Sequence, residues 1–214
     1  MKASSKAPRK NDPQGLRARI LDVAAEQFQL RGYFSTSMQD LMLAAQVSGG
    51  ALHHHFPSKK ALGLAVILER VAPAVRQTWI DPVRTAASLP AAISRVFGAI
   101  AAGIESNGRV GGCPLNNLAL ELTLTDPQFR DALEAVFLEW RTALTERIGN
   151  TRGGARLDRS RRAAAAMFII STYSGAMTQA KTSQSAAPLR SAAAELSRWI
   201  REREYGAEAR SNHS

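Results

Sequence analysis

The chain has 214 residues, 45% of them hydrophobic, with one cysteine and 28 Lys+Arg against 18 Asp+Glu, a net charge of +10. That length and apolar share suffice for a sizeable core. A single cysteine excludes an internal disulfide and fits a reducing cytoplasm; no apolar run approaches the 18 or more residues needed to span a bilayer. The charge points to an anionic partner, with nucleic acid first and a membrane surface second. Residues 1–62 hold nine basic and four acidic residues and residues 63–214 nineteen and fourteen, so each carries +5 but the first segment is denser.

The start, MKASSKAPRKNDPQG, lacks the apolar stretch of a secretory signal and reads as a disordered basic tail over residues 1–15. From Leu16 the pattern is helical: Ile20, Val23, Ala24 and Phe28 recur at helical spacing, and Gly32 suits the left-handed backbone that ends a helix. Ser37 with Asp40 three residues on forms a capping-box-like start for a second helix. Its apolar face is Leu41, Ala44 and Ala45. After a break at Gln46-Val47, Ser48 is a good N-cap for a brief third helix, which Pro57 ends. Ser58 caps a fourth, from Lys59 to about Trp79, with Pro73 as a candidate bend and Asp81-Pro82 breaking or kinking it. Five further helices are predicted. They run from Leu89 to Ser106, from Pro114 to near Thr125, from Asp126-Pro127 along a face that includes Phe129, Val136, Trp140 and Ile148, from Arg159 to Lys181, and from Pro188 onward. The loop GNTRGGARLD separates the third and fourth of these, and a disordered tail is expected over 206–214. The expectation is an all-α protein of about nine helices, with a DNA-binding unit over 16–62 and a larger unit over 63–205.

Two short helices joined by a tight turn, preceded by a third, make a helix-turn-helix unit spanning about 37–56. In such a unit the second short helix enters the major groove by its N-terminal end. Here that helix turns Val47, Leu52 and Phe56 inward, and Gly49, Gly50, His53 and His54 outward. The three adjacent histidines His53, His54 and His55 point about 100° apart. They lack the i,i+4 spacing of a helical metal pair, and no cysteine or carboxylate stands at ligand spacing, so neither a metal site nor a cofactor is expected.

The stretch ILDVAAEQFQLRGYFSTSMQDLMLAAQVSGGALHHHFPSKKALGLAVI resembles the N-terminal domain of the TetR (tetracycline-repressor-like) family of transcriptional regulators. The matching pieces include Gly32-Tyr33, Thr36-Ser37, Asp40-Leu41, Val47-Ser48, His54-His55-Phe56 and Ser58-Lys59. The resemblance implies a homodimeric repressor that holds double-stranded operator DNA with its first three helices and a small effector with its larger domain, dimerising through its last two helices. It places Thr36, Ser37, Met38 and Gln39, then Ser48, Gly49, Gly50, Ala51, His53 and His54, and finally Lys59, at the DNA. Two departures matter. The family often has glycine where this chain has Gln46, and a non-glycine residue there with a left-handed backbone costs about 1 kcal/mol. The family usually has tyrosine at position 53 and often lysine at 49; with His53 and Gly49, direct reading falls on Gln39, suited to adenine, on the histidines and on DNA shape.

In RVGGCPLNNLALELT, Pro114 fits the first helical position and makes Cys113 the N-cap. A thiol there has a lowered pKa, and Arg109 adds to that. The stretch also resembles a branch of the same family in which a Gly-Cys pair opens the sixth helix, and whose members sense electrophiles or reactive chlorine through that cysteine or bind small ligands there. The alternative is that Cys113 is a small buried hydrophobe in a pocket wall. Candidate effector contacts are Phe97, Ile100, Ile104, Phe137, Trp140 and Tyr173, with Asn116 or Asn117 as polar partners. For dimerisation, Ile169 and Ala176 lie on a helix rich in small residues, and Leu196, Trp199 and Ile200 form an apolar stripe with no chain left to cover it. No nucleophile elbow, phosphate loop or paired metal motif supports an enzyme, and a DNA-binding protein without an effector has no use for some 150 further residues.

Overall fold

The computed structural model describes residues 13–205. Among them every regular element is helical, and ten helices follow in order. The first, α1 (Pro13–Arg31), begins inside the stretch expected to be a tail; residues 1–12 and 206–214, the remainder of both expected tails, lie outside the described residues. α1 buries Ile20, Leu21, Ala24 and Phe28; Leu21 joins the predicted face and Val23 is only partly buried. Gly32 then takes φ 90°, the positive value its position calls for.

α2 (Met38–Ala45) starts on the predicted capping box. Ser37 Oγ accepts from Asp40 N at 3.0 Å, and Asp40 Oδ2 accepts from Ser37 N at 2.8 Å. Gln46 ends the helix in the left-handed region at φ 54° and carries the strain that a glycine would relieve. α3 (Gly49–His55) is capped by Ser48, whose Oγ accepts from Ala51 N at 3.2 Å. Leu52 and Phe56 anchor it in the core.

α4 departs from expectation. It runs without interruption over residues 59–85 and passes both prolines. Lys59–Val66 and Ala72–Val75 are regular α-helix, and the π turns Ile67–Val71 and Arg76–Ile80 divide them from each other and from Asp81–Thr85. Each π turn ends just before an X-Pro pair, Ala72-Pro73 or Asp81-Pro82. A proline lacks an N–H and its ring crowds the carbonyl four residues back, which normally kinks or stops a helix. The wider turn relieves that crowding. Ala72 N–H bonds to Ile67 O and Asp81 N–H to Arg76 O, five residues back in each case.

The remaining elements are α5 (Leu89–Asn107), α6 (Pro114–Leu122), α7 (Pro127–Gly149), α8 (Arg152–Ala155), α9 (Arg159–Ser183) and α10 (Ala187–Tyr205). α8, a single turn capped by Thr151, lies in the loop read as unstructured and makes ten helices of the expected nine. α10 packs between α5 and α9, and α9 against α7. One continuous core joins α1 to α10. Ion pairs fasten α1 to α4: Arg17 grips Glu69 with two bonds of 2.5 and 2.6 Å, and Arg70 reaches Asp22 at 2.6 Å. No helix among the described residues is long and apolar enough to cross a membrane.

Candidate nucleic-acid interface and effector cavity

The outward face of α2 and α3 carries a mixed set of side chains. Ser37, Gln39, Ser48, Gly50, His53 and His54 are exposed; Gly49, Ala51 and His55 are partly covered. His55 stacks loosely between His54 and Phe56, at 5.2 and 6.5 Å between ring centroids, so the three histidines face different surroundings. Among the described residues no three His, Cys, Asp or Glu side chains gather to hold a metal. Gly49 and Gly50 have ordinary helical backbones. A Cβ at Gly50 would meet nothing within 4 Å, and one at Gly49 only Met42 Sδ at 3.7 Å. Packing therefore does not require either glycine.

Three residues expected at the DNA are engaged elsewhere. Thr36 is fully buried, and its hydroxyl donates to Gly32 O at 2.8 Å. It holds the turn between α1 and α2, with its hydroxyl turned inward. Met38 packs on the core from the first position of α2. The Lys59 ammonium lies 4.4 Å from the Tyr33 ring centroid and 3.5 Å from Phe34 O, and desolvation lowers its pKa. A cation over an aromatic face is already partly satisfied.

The larger unit holds an aromatic cavity of about 60 Å³. Trp79 of α4, Trp140 of α7 and Tyr173 of α9 form its cage, with Cys113 and Leu115 at the start of α6 and Val71 of α4 completing the wall. The rings meet at 4.9 Å (Trp79–Trp140), 4.8 Å (Trp79–Tyr173) and 5.7 Å (Trp140–Tyr173). Phe97 backs the cage edge-on to Trp79 and Tyr173, and Phe137 stacks on Trp140. Of the expected effector contacts, Cys113, Trp140 and Tyr173 thus line one space. Phe97 and Phe137 stand behind it, and Ile100 and Ile104 pack on the core from α5.

Both indole N–H groups of the cage, Trp79 Nε1 and Trp140 Nε1, are buried without a hydrogen-bond partner among the described residues. Burial raises the Tyr173 pKa; Trp79 lies close enough to the hydroxyl to oppose that in part, but not in hydrogen-bond geometry. An unpaired buried donor costs about 1–3 kcal/mol. This is unusual in a core otherwise well satisfied.

Cys113 is the N-cap of α6, as expected, yet its pKa is raised. Burial raises it, and the helix-end amides of Asn116 and Leu115 and the Tyr173 hydroxyl pull it down by less. Loss of hydration outweighs the helix terminus when the thiol is this deeply enclosed. Arg109 is exposed and is not among the causes. The expectation of an acidified thiol is therefore corrected. Asn117, expected at the effector, instead faces α1. Its Nδ2 donates to Gly111 O at 2.9 Å and Gln29 O at 3.4 Å, while Gln29 Nε2 donates to Gly112 O at 2.9 Å. Gly112 has φ 87°, which lets its carbonyl turn toward α1. Asn116 is half-buried near the mouth of α6.

Comparison with known proteins decides the family. Residues 20–66 match "Bacterial regulatory proteins, tetR family", and residues 90–195 match "Transcriptional regulator LmrA/YxaF-like, C-terminal domain". The structure is similar to that of a TetR transcriptional regulator from Chloroflexus aurantiacus, 30% identical, covering 89% of this chain and 96% of that one with a TM-score of 0.76. The chain belongs to the TetR family of transcriptional regulators. The HTH-type transcriptional repressor DhaR of Mycobacterium sp. (strain GP1) is 29% identical over 177 residues, 81% of this chain and 86% of DhaR. The TetR-family regulator CifR, in a structure with 26 base pairs of operator DNA, shares the fold at a TM-score of 0.71 and 24% identity, over 89% of this chain and 98% of CifR.

The α9–α10 face of this TetR-family chain differs from the expected dimer surface. Ile169, Ala176, Leu196 and Ile200 are buried within the chain itself, because α10 seats its stripe against α5 and α9. Trp199 is half-buried and meets Phe168 at 4.7 Å. The exposed apolar residues lie one step around the helix: Met167 at 55% and Phe168 at 46% exposure. Beside them a groove of about 750 Å³ runs between the two helices, lined by small side chains such as Ser171, Gly175, Pro188 and Ser191.

Trp79 was missed as a cage residue. Its position eight residues after Val71 and four after Val75 on α4 is the signal that marks it, although the π turns shift the register.

Proposed function

We propose that this protein is a homodimeric TetR-family repressor that holds a pseudo-palindromic operator and leaves it when a small effector enters the cage of Trp79, Trp140 and Tyr173. The observation that carries the reading is that α4 belongs to both sites. Its first turn follows α3 after three residues and packs on α1, with Lys59 close enough to Asp40 of α2 to feel its charge, while Val71 to Trp79 wall the cavity. Displacing that wall shifts the far end of the same helix, and the two π turns are where a regular ladder is already broken. The effector acts by favouring a conformation whose reading helices no longer match the groove, and only to the extent that it binds that conformation better. That DhaR is a repressor supports repression.

At the DNA, Gln39 and Ser37 of the first short helix and Ser48, Gly49, Gly50, Ala51, His53 and His54 of the second are the contacts. The pair of glycines, not needed for packing, lets the N-terminus of α3 approach the DNA closely, with His53 and Gln39 reading base edges. Dimerisation uses the outer face of α9 and α10, where Met167 and Phe168 are exposed and the small residues of the groove permit close helix approach. Effector binding is preferred over modification of Cys113, because the raised pKa leaves little thiolate.

The test is operator binding at controlled salt. His53→Ala, at an exposed position, folds normally and loses about tenfold in affinity for the operator but not for unrelated DNA. Gly50→Ala keeps or gains stability and also loses operator affinity. Unchanged affinity in both variants contradicts the assignment of α3 as the reading helix.

A further inference from the structure

The cage contains two indole donors that meet no acceptor in hydrogen-bond geometry among the described residues, although Trp79 lies near the Tyr173 hydroxyl. Trp79 and Trp140 are 2% and 1% exposed, both line the same cavity, and both indole N–H groups lack a partner among the described residues. An indole nitrogen can only donate. None of the residues lining the cavity is charged: beyond the aromatic cage and Cys113 they are Val71, Ala74, Val75, Thr78, Pro114 and Leu115. We propose that the cavity is built for a small uncharged molecule with an apolar body and a hydrogen-bond-accepting oxygen of the ketone, aldehyde or ether class, held by the Trp79 and Trp140 indole N–H groups. This rests on the effector reading above and specifies the ligand of that site.

Three features select this class. A carboxylate or phosphate would enter an enclosure with no cation to meet it, and burying an unpaired charge is strongly unfavourable. A pure hydrocarbon would fill the space but leave both donors unpaired. A carbonyl oxygen has two lone pairs, enough for two indole N–H groups at once. Size narrows it further. At about 60 Å³ the space is well below the roughly 150 Å³ that accommodates benzene in an engineered cavity, so the body is smaller than a six-membered ring unless the walls move. Where they do move, the yielding side is the stretch of α4 between its π turns, which is the displacement the effector reading requires. The interaction is non-covalent and leaves the Cys113 thiol unchanged.

The experiment uses the full chain labelled with ¹⁵N at tryptophan, which gives three indole N–H signals, for Trp79, Trp140 and Trp199. The probes are 2-butanone and 2-methyl-1-butene, which have the same shape and differ in oxygen against methylene. The expected result is that butanone moves two of the three indole proton signals downfield, saturably, and binds at least about tenfold tighter than the alkene. Trp199→Phe removes the signal that does not move. The inference is overturned if butanone leaves the two buried indoles unmoved, or if the alkene binds as tightly as the ketone. Operator binding measured in the same samples separates the two readings. A compound that releases DNA without moving the indoles leaves the effector reading standing and ends this one. Indole shifts with no change in DNA binding keep this one and count against the effector reading.

Discussion

At Cys113 two familiar effects oppose each other. The end of α6 offers amides that stabilise a thiolate, and the enclosing cage removes the water that stabilises it more. The position of the cysteine before Pro114 was legible in the sequence; its burial was not, because Trp79, Trp140 and Tyr173 come from three other helices. A pH dependence follows. Burial raises the pKa of the folded thiol above its ordinary value and does the same for the Tyr173 hydroxyl. The unfolded chain therefore ionises first, so stability is unaffected at neutral pH and falls as pH rises above about 9. Glu69, Asp126 and Glu139 act at the other end. Hydrogen bonds from Arg17, Lys60 and Arg76 lower their pKa values, so their contribution is present above the ordinary carboxylate range and is lost as pH falls through the folded values. Denaturant midpoints from pH 7 to 10.5 check the alkaline limb. Cys113→Ser should flatten part of it, and iodoacetamide should modify Cys113 at pH 7 only after unfolding. Rapid modification of the folded chain would contradict the burial argument. Thr36 and Lys59 carry a similar lesson. Each matches a family position at the DNA, yet the hydroxyl of Thr36 goes to Gly32 and the ammonium of Lys59 to Tyr33, and neither engagement is visible in local spacing.

Among the elements, the serine caps written into the sequence formed: Ser37, Ser48 and Ser58 each accept from the backbone N–H three residues on. Local hydrogen bonds of this kind depend only on near neighbours. α4 runs past its expected end near Trp79 for the complementary reason. A proline rule stops a regular helix, but a π turn ahead of each proline lets this one continue to Thr85, and the packing of Val71, Trp79 and Ile80 holds those turns in place. The contact between α1 and α6 is also non-local. Gln29 and Asn117 exchange bonds with each other's backbone segments around Gly111 and Gly112, next to the cavity wall at Cys113. If these side chains act as one unit, their effects are not additive. Gln29→Ala and Asn117→Ala should each lower stability by about 1 kcal/mol, and the double variant should show a coupling of about 0.5 kcal/mol or more. Additivity within about 0.3 kcal/mol would show two independent bonds.

The whole molecule combines a basic chain, a helix-turn-helix unit and a second unit joined to it by one long helix. The helical architecture was legible because amphipathic spacing repeats along the entire chain and the motif from Ile20 to Val66 is dense. The side of α9 and α10 that remains exposed was not, since it depends on which neighbours α10 meets. With Leu196 and Ile200 turned inward, the surface left for a second chain is that of Met167, Phe168 and the small-residue groove. In the proposed dimer, two reading helices related by a two-fold axis would meet successive major grooves of one site. The most direct measurement is a fluorescence-anisotropy titration of the full chain on duplex DNA from its own upstream region, at fixed salt and with excess unrelated duplex present. The account predicts saturable binding that survives the competitor, with chains bound in multiples of two per site and an affinity that falls steeply as salt rises. Equal affinity for the unrelated duplex, or a single chain per site, would contradict it.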